Sequence, residues 1–165
     1  MQEVFLGLTG FHWALLGAGI AAIGGGIGSA IGITYVNKMA SGIMVEDPDK
    51  FGPLLPLCAI PGTQGIYGFI TAVLVVFFFE IFGGEGAKIA GKTGLEICLA
   101  CQPVAWACLF SAMYQGLSAA GAAGMVAKRT EDAGKALILP ALVETYAALS
   151  LIITIILLLS VKAGL

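Results

Sequence analysis

Four long apolar tracts organise the chain, at residues 11–36, 53–79, 97–127 and 136–161. Each exceeds the roughly 20 residues that an α-helix needs to cross a hydrocarbon core. Polar stretches separate them: Asn37, Lys38, Glu46, Asp47, Pro48, Asp49 and Lys50; then residues 83–92 with Glu85 and Lys88; then Lys128-Arg129-Thr130-Glu131-Asp132. The pattern predicts an all-α membrane protein, one membrane domain over residues 1–165 with four transmembrane helices in two hairpins. The first hairpin spans 1–85 and the second, 86–165, carries the key carboxylate. A Glu-Asp pair followed by Lys recurs at Glu46, Asp47 and Lys50 and at Glu131, Asp132 and Lys135. That recurrence predicts an internal duplication with a spacing of about 85 residues, a repeat common in membrane transport proteins.

The tracts differ in character. The first is dense in small residues, with Gly17, Gly19, Ala21, Gly24, Gly25, Gly26, Gly28 and Gly32, and the second half of the third repeats this with Gly116, Ala119, Gly121, Ala122 and Gly124. Small residues let helix backbones approach closely, so helices 1 and 3 are expected to pack tightly against several neighbours. The bulky runs 73–79 and 151–159 suit a wall facing lipid. Phe11-His12-Trp13 opens helix 1 as an interfacial aromatic group, with His12 hydrated at the helix end. Glu80, at the far end of helix 2, reads the same way.

Composition agrees: 59% of residues are hydrophobic and 11% charged, against roughly a quarter charged in soluble domains. A net charge of −2 without a basic cluster excludes nucleic acid as a partner. Residues 1–10 contain no Lys or Arg, so the first tract reads as a retained helix and not as a cleaved leader. Cys58, Cys98, Cys101 and Cys108 lie in or beside the tracts and read as small apolar helix residues, because the Cys-x-x-Cys lacks a second ligating pair. Lys38, Lys50, Lys128, Arg129 and Lys135 lie in the two hairpin loops, against Lys88, Lys92 and Lys162 on the other side. The positive-inside rule then places both hairpin loops in the cytoplasm and both termini outside the cell membrane.

One carboxylate breaks the pattern. Glu144 lies in a tract that continues to Ser160 without another charge. A carboxylate at the centre of a spanning helix costs roughly 2.5 to 3.5 kcal/mol on insertion scales, so a retained one faces a partner, a bound cation or a water path. Other polar residues gather at its level. Ile60, Thr63, Gln64 and Tyr67 are spaced i, i+3, i+4 and i+7 and share one face of helix 2, while Gln115 stands alone in helix 3. At about 1.5 Å per residue, Gln64, Gln115 and Glu144 fall roughly 15 to 18 Å from the loop ends of their helices. Pro56 and Pro61 lack N–H groups and free backbone carbonyls near residues 57–60.

The donor set is a Thr hydroxyl, two Gln amide oxygens, a carboxylate and a backbone carbonyl, five oxygens with no soft ligand, which suits a hard cation. A proton needs only the carboxyl and an acceptor, whereas stripping water from Na+ takes several replacement oxygens, so the set favours Na+ with H+ as the alternative. A hydrogen bond from the Tyr67 hydroxyl to the carboxylate is expected, since a buried Tyr takes such a partner.

Three stretches, Pro61-Gly62-Thr63-Gln64-Gly65-Ile66-Tyr67-Gly68-Phe69, Phe110-Ser111-Ala112-Met113-Tyr114-Gln115-Gly116 and Val143-Glu144-Thr145-Tyr146, resemble the proteolipid K subunit of bacterial sodium-translocating V-type ATPases. The resemblance implies a four-helix subunit in a closed homo-oligomeric rotor ring, helices 1 and 3 inside and helices 2 and 4 outward. It implies Na+ coordination by the Ile60 carbonyl, the Thr63 hydroxyl, the Gln64 and Gln115 amides and the Glu144 carboxylate, with Tyr67 in support. It also implies a stator subunit presenting an arginine to Glu144, central-stalk subunits, and membrane lipid around the ring. Pro140, one turn before Glu144, departs from the pattern and is expected to distort helix 4 locally. ATP turnover belongs to a separate soluble sector, because this chain has no G-x-x-x-x-G-K-[ST] phosphate loop. The alternative of a small four-helix membrane enzyme calls for several convergent ionisable groups, where this sequence offers one.

Overall fold

The computed structural model describes residues 4–83 and 88–164. The expected boundary between hairpins at 85/86, with Glu85, and residues 1–3 lie outside the described residues. Six α-helices account for most of the described residues: α1 (Gly10–Glu46), α2 (Phe51–Ala59), α3 (Thr63–Phe78), α4 (Gly91–Ala100), α5 (Gln102–Lys128) and α6 (Ala133–Ala163). With their short 3-10 turns they form four apolar spans, Gly10–Glu46, Pro48–Gly83, Gly91–Lys128 and Thr130–Ala163. The four expected helices are present, each longer at its ends than the apolar tract that marked it. Two strands, β1 (Val4–Phe5) and β2 (Leu8–Thr9), pair antiparallel ahead of α1 through Leu6 and Gly7, both at positive φ. That geometry is the two-residue hairpin turn, which needs left-handed backbone at both central positions.

Prolines divide two of the spans. Pro61 has no N–H to continue the α-helical ladder, so α2 stops at Ala59, a 3-10 turn covers Ile60–Gly62, and α3 starts at Thr63. Pro103 has the same effect in the third span, where Cys101 takes a turn conformation between α4 and α5. The hydropathy pattern gave no sign of this second break. The first-turn N–H groups that such breaks leave without a helical acceptor must find one inside the membrane. Val104 N–H, in the first turn of α5, donates to Thr154 Oγ1 of α6 at 3.2 Å. Gly65 N–H, in the first turn of α3, donates to Ser29 Oγ of α1 at 2.8 Å.

The most extensive packing is between α1 and α5, followed by α1 on α3 and α5 on α6. Glycine explains how α1 serves two neighbours. A Cβ at Gly28 would sit 2.6 Å from the Leu109 carbonyl oxygen and one at Gly17 2.6 Å from the Cys98 Cα, so this side lies directly on the third span. A Cβ at Gly25 would collide with the Gln64 carbonyl on the second. Lipid tails are as apolar as the side chains, so close van der Waals contact of this kind carries the association. Much of the small-residue surface of helix 1 is therefore occupied within one subunit, while Gly19 and Gly26 face open space.

Two apolar clusters form the core. One gathers Ala21, Val75, Val104, Cys108, Ala147 and Leu158, the other Val36, Leu57, Ala119, Val126 and Ala136. At the loop end the Lys50 ammonium, its side chain 13% exposed, crosses to the second hairpin. It donates to the carbonyls of Val126 (3.4 Å) and Ala127 (3.2 Å) and to Thr130 Oγ1. A cation there meets the negative end of the α5 dipole and satisfies carbonyls that have no helical partner. The cysteines behave as apolar helix residues: Cys98, Cys101 and Cys108 are buried, Cys58 is half-buried, and all four are free thiols.

Candidate cation site between three helices

The polar residues lie where the two apolar clusters part. Along the second span Gln64 falls between Leu57 and Val75, along the third Gln115 falls between Cys108 and Ala119, and along the fourth Glu144 falls between Ala136 and Ala147. Gln64 and Gln115 are both 0% exposed. A buried amide without partners costs several kcal/mol, roughly 2 to 7 depending on reference state. Every buried side-chain N and O among the described residues has a partner.

The helix 2 break builds one side. In the 3-10 turn the Ile60 carbonyl accepts the Thr63 N–H, and the Thr63 hydroxyl also donates to it at 3.0 Å. The same hydroxyl lies 3.2 Å from Gln64 Oε1. The Gln64 amide nitrogen then reaches helix 3, donating to Gln115 Oε1 at 2.6 Å and to Ser111 Oγ at 3.4 Å. Gln115 passes the chain to helix 4: its Nε2 donates to the Pro140 carbonyl at 3.0 Å and to Glu144 Oε2 at 3.4 Å. Tyr67 closes it, its hydroxyl donating to Glu144 Oε1 at 2.8 Å.

All six residues singled out in the sequence, Ile60, Thr63, Gln64, Tyr67, Gln115 and Glu144, thus belong to one hydrogen-bonded layer. The amide orientations follow from it. Both Nε2 groups are committed to oxygen acceptors, while Gln64 Oε1 turns toward Thr63 and Gln115 Oε1 toward Gln64. The carboxylate accepts one donor on each oxygen, which offsets the cost of holding charge away from water. Glu144, Thr63 and Tyr67 are half-buried, and Leu142 and Tyr146 beside Glu144 are exposed, so the site lies near the outer surface of the bundle.

Three participants escaped the sequence reading. Ser111 joins Gln64 to helix 4 by donating to the Val143 carbonyl at 3.1 Å. Its signal was available, for it precedes Gln115 by four residues and shares its helix face. The Pro140 carbonyl is a further acceptor, and Ser29 supports the backbone at Gly65. Pro140 itself is accommodated: α6 runs unbroken from Ala133 to Ala163.

The chain matches the model of the ATP synthase C-subunit family twice, over residues 16–75 and 98–157, two copies offset by 82 residues. The duplication expected from the loop charges is therefore present, with a spacing close to that expected. Over 151 residues the chain is 39% identical to the V-type sodium ATPase subunit K of Enterococcus hirae, covering 92% of this chain and 93% of that protein. It is 36% identical over 153 residues to the A-type ATP synthase subunit K of Methanocaldococcus jannaschii, covering 90% of this chain and 63% of that protein. Two family copies that take in both hairpins, and a relative alike over nearly its whole length, establish that the protein belongs to the ATP synthase C-subunit family.

Proposed function

We propose that this chain carries Na+ across the membrane as a rotor-ring subunit of a rotary ATPase, with Glu144 as the charged ligand. The observation that carries the reading is the hydrogen-bonded layer itself, which brings a carboxylate, two amides, a hydroxyl and a carbonyl together within the membrane-spanning region. Na+ gives up its hydration shell on entering, and oxygens of Ile60, Thr63, Gln64, Gln115 and Glu144 replace it. A single carboxylate leaves the occupied site neutral, as a monovalent cargo in a bilayer requires. The relative from Enterococcus hirae is by name a sodium ATPase subunit, which supports the same ion here.

The half-buried position of Glu144 suits exchange. In a ring the second and fourth spans face outward, where an arginine on a stator subunit displaces the ion as each subunit passes. Central-stalk subunits engage the hairpin loops on the cytoplasmic side, with both termini outside, and ATP turnover takes place on other subunits. Carbodiimide labelling of purified ring tests the assignment. Na+ is expected to protect Glu144 from modification; labelling that ignores Na+ and responds only to pH would assign the ring to protons.

A further inference from the structure

The offset of 82 residues between the family copies places Ser29 of the first span opposite Ser111 of the third. Each serine makes a hydrogen bond to the backbone of the other span of its own hairpin. Ser29 Oγ accepts the Gly65 N–H at 2.8 Å, and Ser111 Oγ donates to the Val143 carbonyl at 3.1 Å.

In the second hairpin that contact has acquired a companion. Ser111 and Gln115, one turn apart on α5, both donate to helix 4 carbonyls around the carboxylate, at Val143 and at Pro140. Two side-chain bonds, one before and one beside Glu144, fix both the rotation of α6 and its height against α5. Ser111 also accepts from Gln64 Nε2 at 3.4 Å, so one hydroxyl touches the helix 2 ligand and the backbone bearing the helix 4 ligand. It is 7% exposed, and its one O–H is committed to the Val143 carbonyl.

We propose that Ser111 is a positioning residue for the cation site, locking the peptide unit that carries Glu144 to the amide of Gln64. The proposal rests on the sodium reading above. Its physical basis is that removing the hydroxyl costs little fold stability, since Gln64 Nε2 keeps Gln115 Oε1 as an acceptor. What is lost is the registration of two ligands on different helices, and a cation needing several oxygens at once feels that loss where a proton does not.

The test is carbodiimide modification of Glu144 in the intact ring, titrated with Na+ at several pH values, for the parent, Ser111→Ala, Ser111→Cys, Ser111→Thr and Thr154→Val. Thr154 Oγ1 accepts a buried hydrogen bond from Val104 N–H away from the site, and so reports general loosening. Ser111→Ala and Ser111→Cys, a weak donor of similar size, should need about fivefold more Na+ for half-protection, the change expected from one neutral hydrogen bond. Their labelling without Na+ should keep the parent's pH profile. Ser111→Thr, which retains the hydroxyl, should restore protection to within about twofold, and Thr154→Val should match the parent. Parent-like protection in both Ser111→Ala and Ser111→Cys overturns the proposal, as does an equal shift in Thr154→Val. If neither Ser111 variant forms a ring, its role is structural and the proposal fails. A parent ring that Na+ does not protect would instead refute the sodium reading on which it stands.

Discussion

The Tyr67 hydroxyl donates to Glu144 Oε1 at 2.8 Å, joining the second and fourth spans across 77 positions of sequence. Gln115 holds the other carboxylate oxygen, so the two donors set the direction in which the carboxylate faces. Tyr67→Phe removes one donor and keeps the ring. Hydrogen bonds to charged groups contribute about 1.5 to 3 kcal/mol, and the lower figure applies at this half-buried position. Half-protection of Glu144 by Na+ should then require about tenfold more ion. An unchanged requirement would mean that Tyr67 only packs against helix 4.

Glu144→Gln should abolish ion-coupled transport while the ring still assembles. The amide oxygen can keep the Tyr67 hydroxyl as a donor, but its NH2 then meets the Gln115 Nε2, donor against donor, so one amide must turn. Shape survives; charge does not. Ring recovery in mild detergent and Na+ uptake into vesicles separate these, and normal transport by an assembled Glu144→Gln ring would remove Glu144 from the mechanism.

The site was legible in the sequence because polarity is conspicuous in a membrane. Glu144, Gln64 and Gln115 stand alone among apolar residues, and the period of the helix brought Thr63 and Tyr67 onto the Gln64 face. Ser111 escaped because a small hydroxyl is common in spanning helices, and only its contacts on two other helices distinguish it. The interruption at Cys101 escaped because hydropathy does not register a missing N–H; Pro103 was the available sign. The roles of the glycines were half legible. Their density predicted close packing, but which face meets which helix depends on the rotation of α1 between two neighbours, which composition does not contain.

Thr63→Val and Gln64→Leu should both weaken Na+ binding more than proton binding, since each deletes an oxygen ligand and spares the carboxyl. Their side effects differ. Thr63→Val leaves the Ile60 carbonyl its backbone donor, so the effect on the fold is small. Gln64→Leu strips the Gln115 Oε1 of its donor in a fully buried position, an added cost of about 1 to 3 kcal/mol. Thermal stability of the subunit should therefore fall for Gln64→Leu and stay near the parent for Thr63→Val. Tracer Na+ binding across pH gives the other half, and equal losses for both ions would favour the proton as cargo.

Acid should weaken Na+ binding. A proton on Glu144 removes the charge that balances the cation, so the two ions compete for one carboxylate. The sign is fixed: lowering pH raises the Na+ concentration needed for half-occupancy and leaves maximal occupancy unchanged. A midpoint that does not move with pH would mean that Glu144 is not the titrating ligand.

Glycine substitutions can distinguish packing inside one subunit from packing between neighbouring copies. Gly28→Leu places its side chain against the Leu109 backbone, with the Cβ itself only 2.6 Å from that carbonyl oxygen. Backbone cannot move aside as a flexible side chain can, so α1 and α5 must separate and the subunit itself should fail to fold. Gly26 is different. A Cβ there meets nothing within 4 Å in the subunit, and Ile23 and Ile27 beside it are exposed. If this face of α1 lies at the inner radius of the ring, Gly26→Leu should yield a folded subunit that does not close into a ring, because the overlap falls on a neighbouring copy. Leu157→Val, on a partly exposed position of α6, removes only one methylene and should be mild. Helicity and protease resistance of the isolated subunit, set beside recovery of intact ring in mild detergent, give the comparison. Full ring recovery for Gly26→Leu would place that face of α1 away from the interfaces between copies, and recovery of folded Gly28→Leu protein would contradict the α1 and α5 packing.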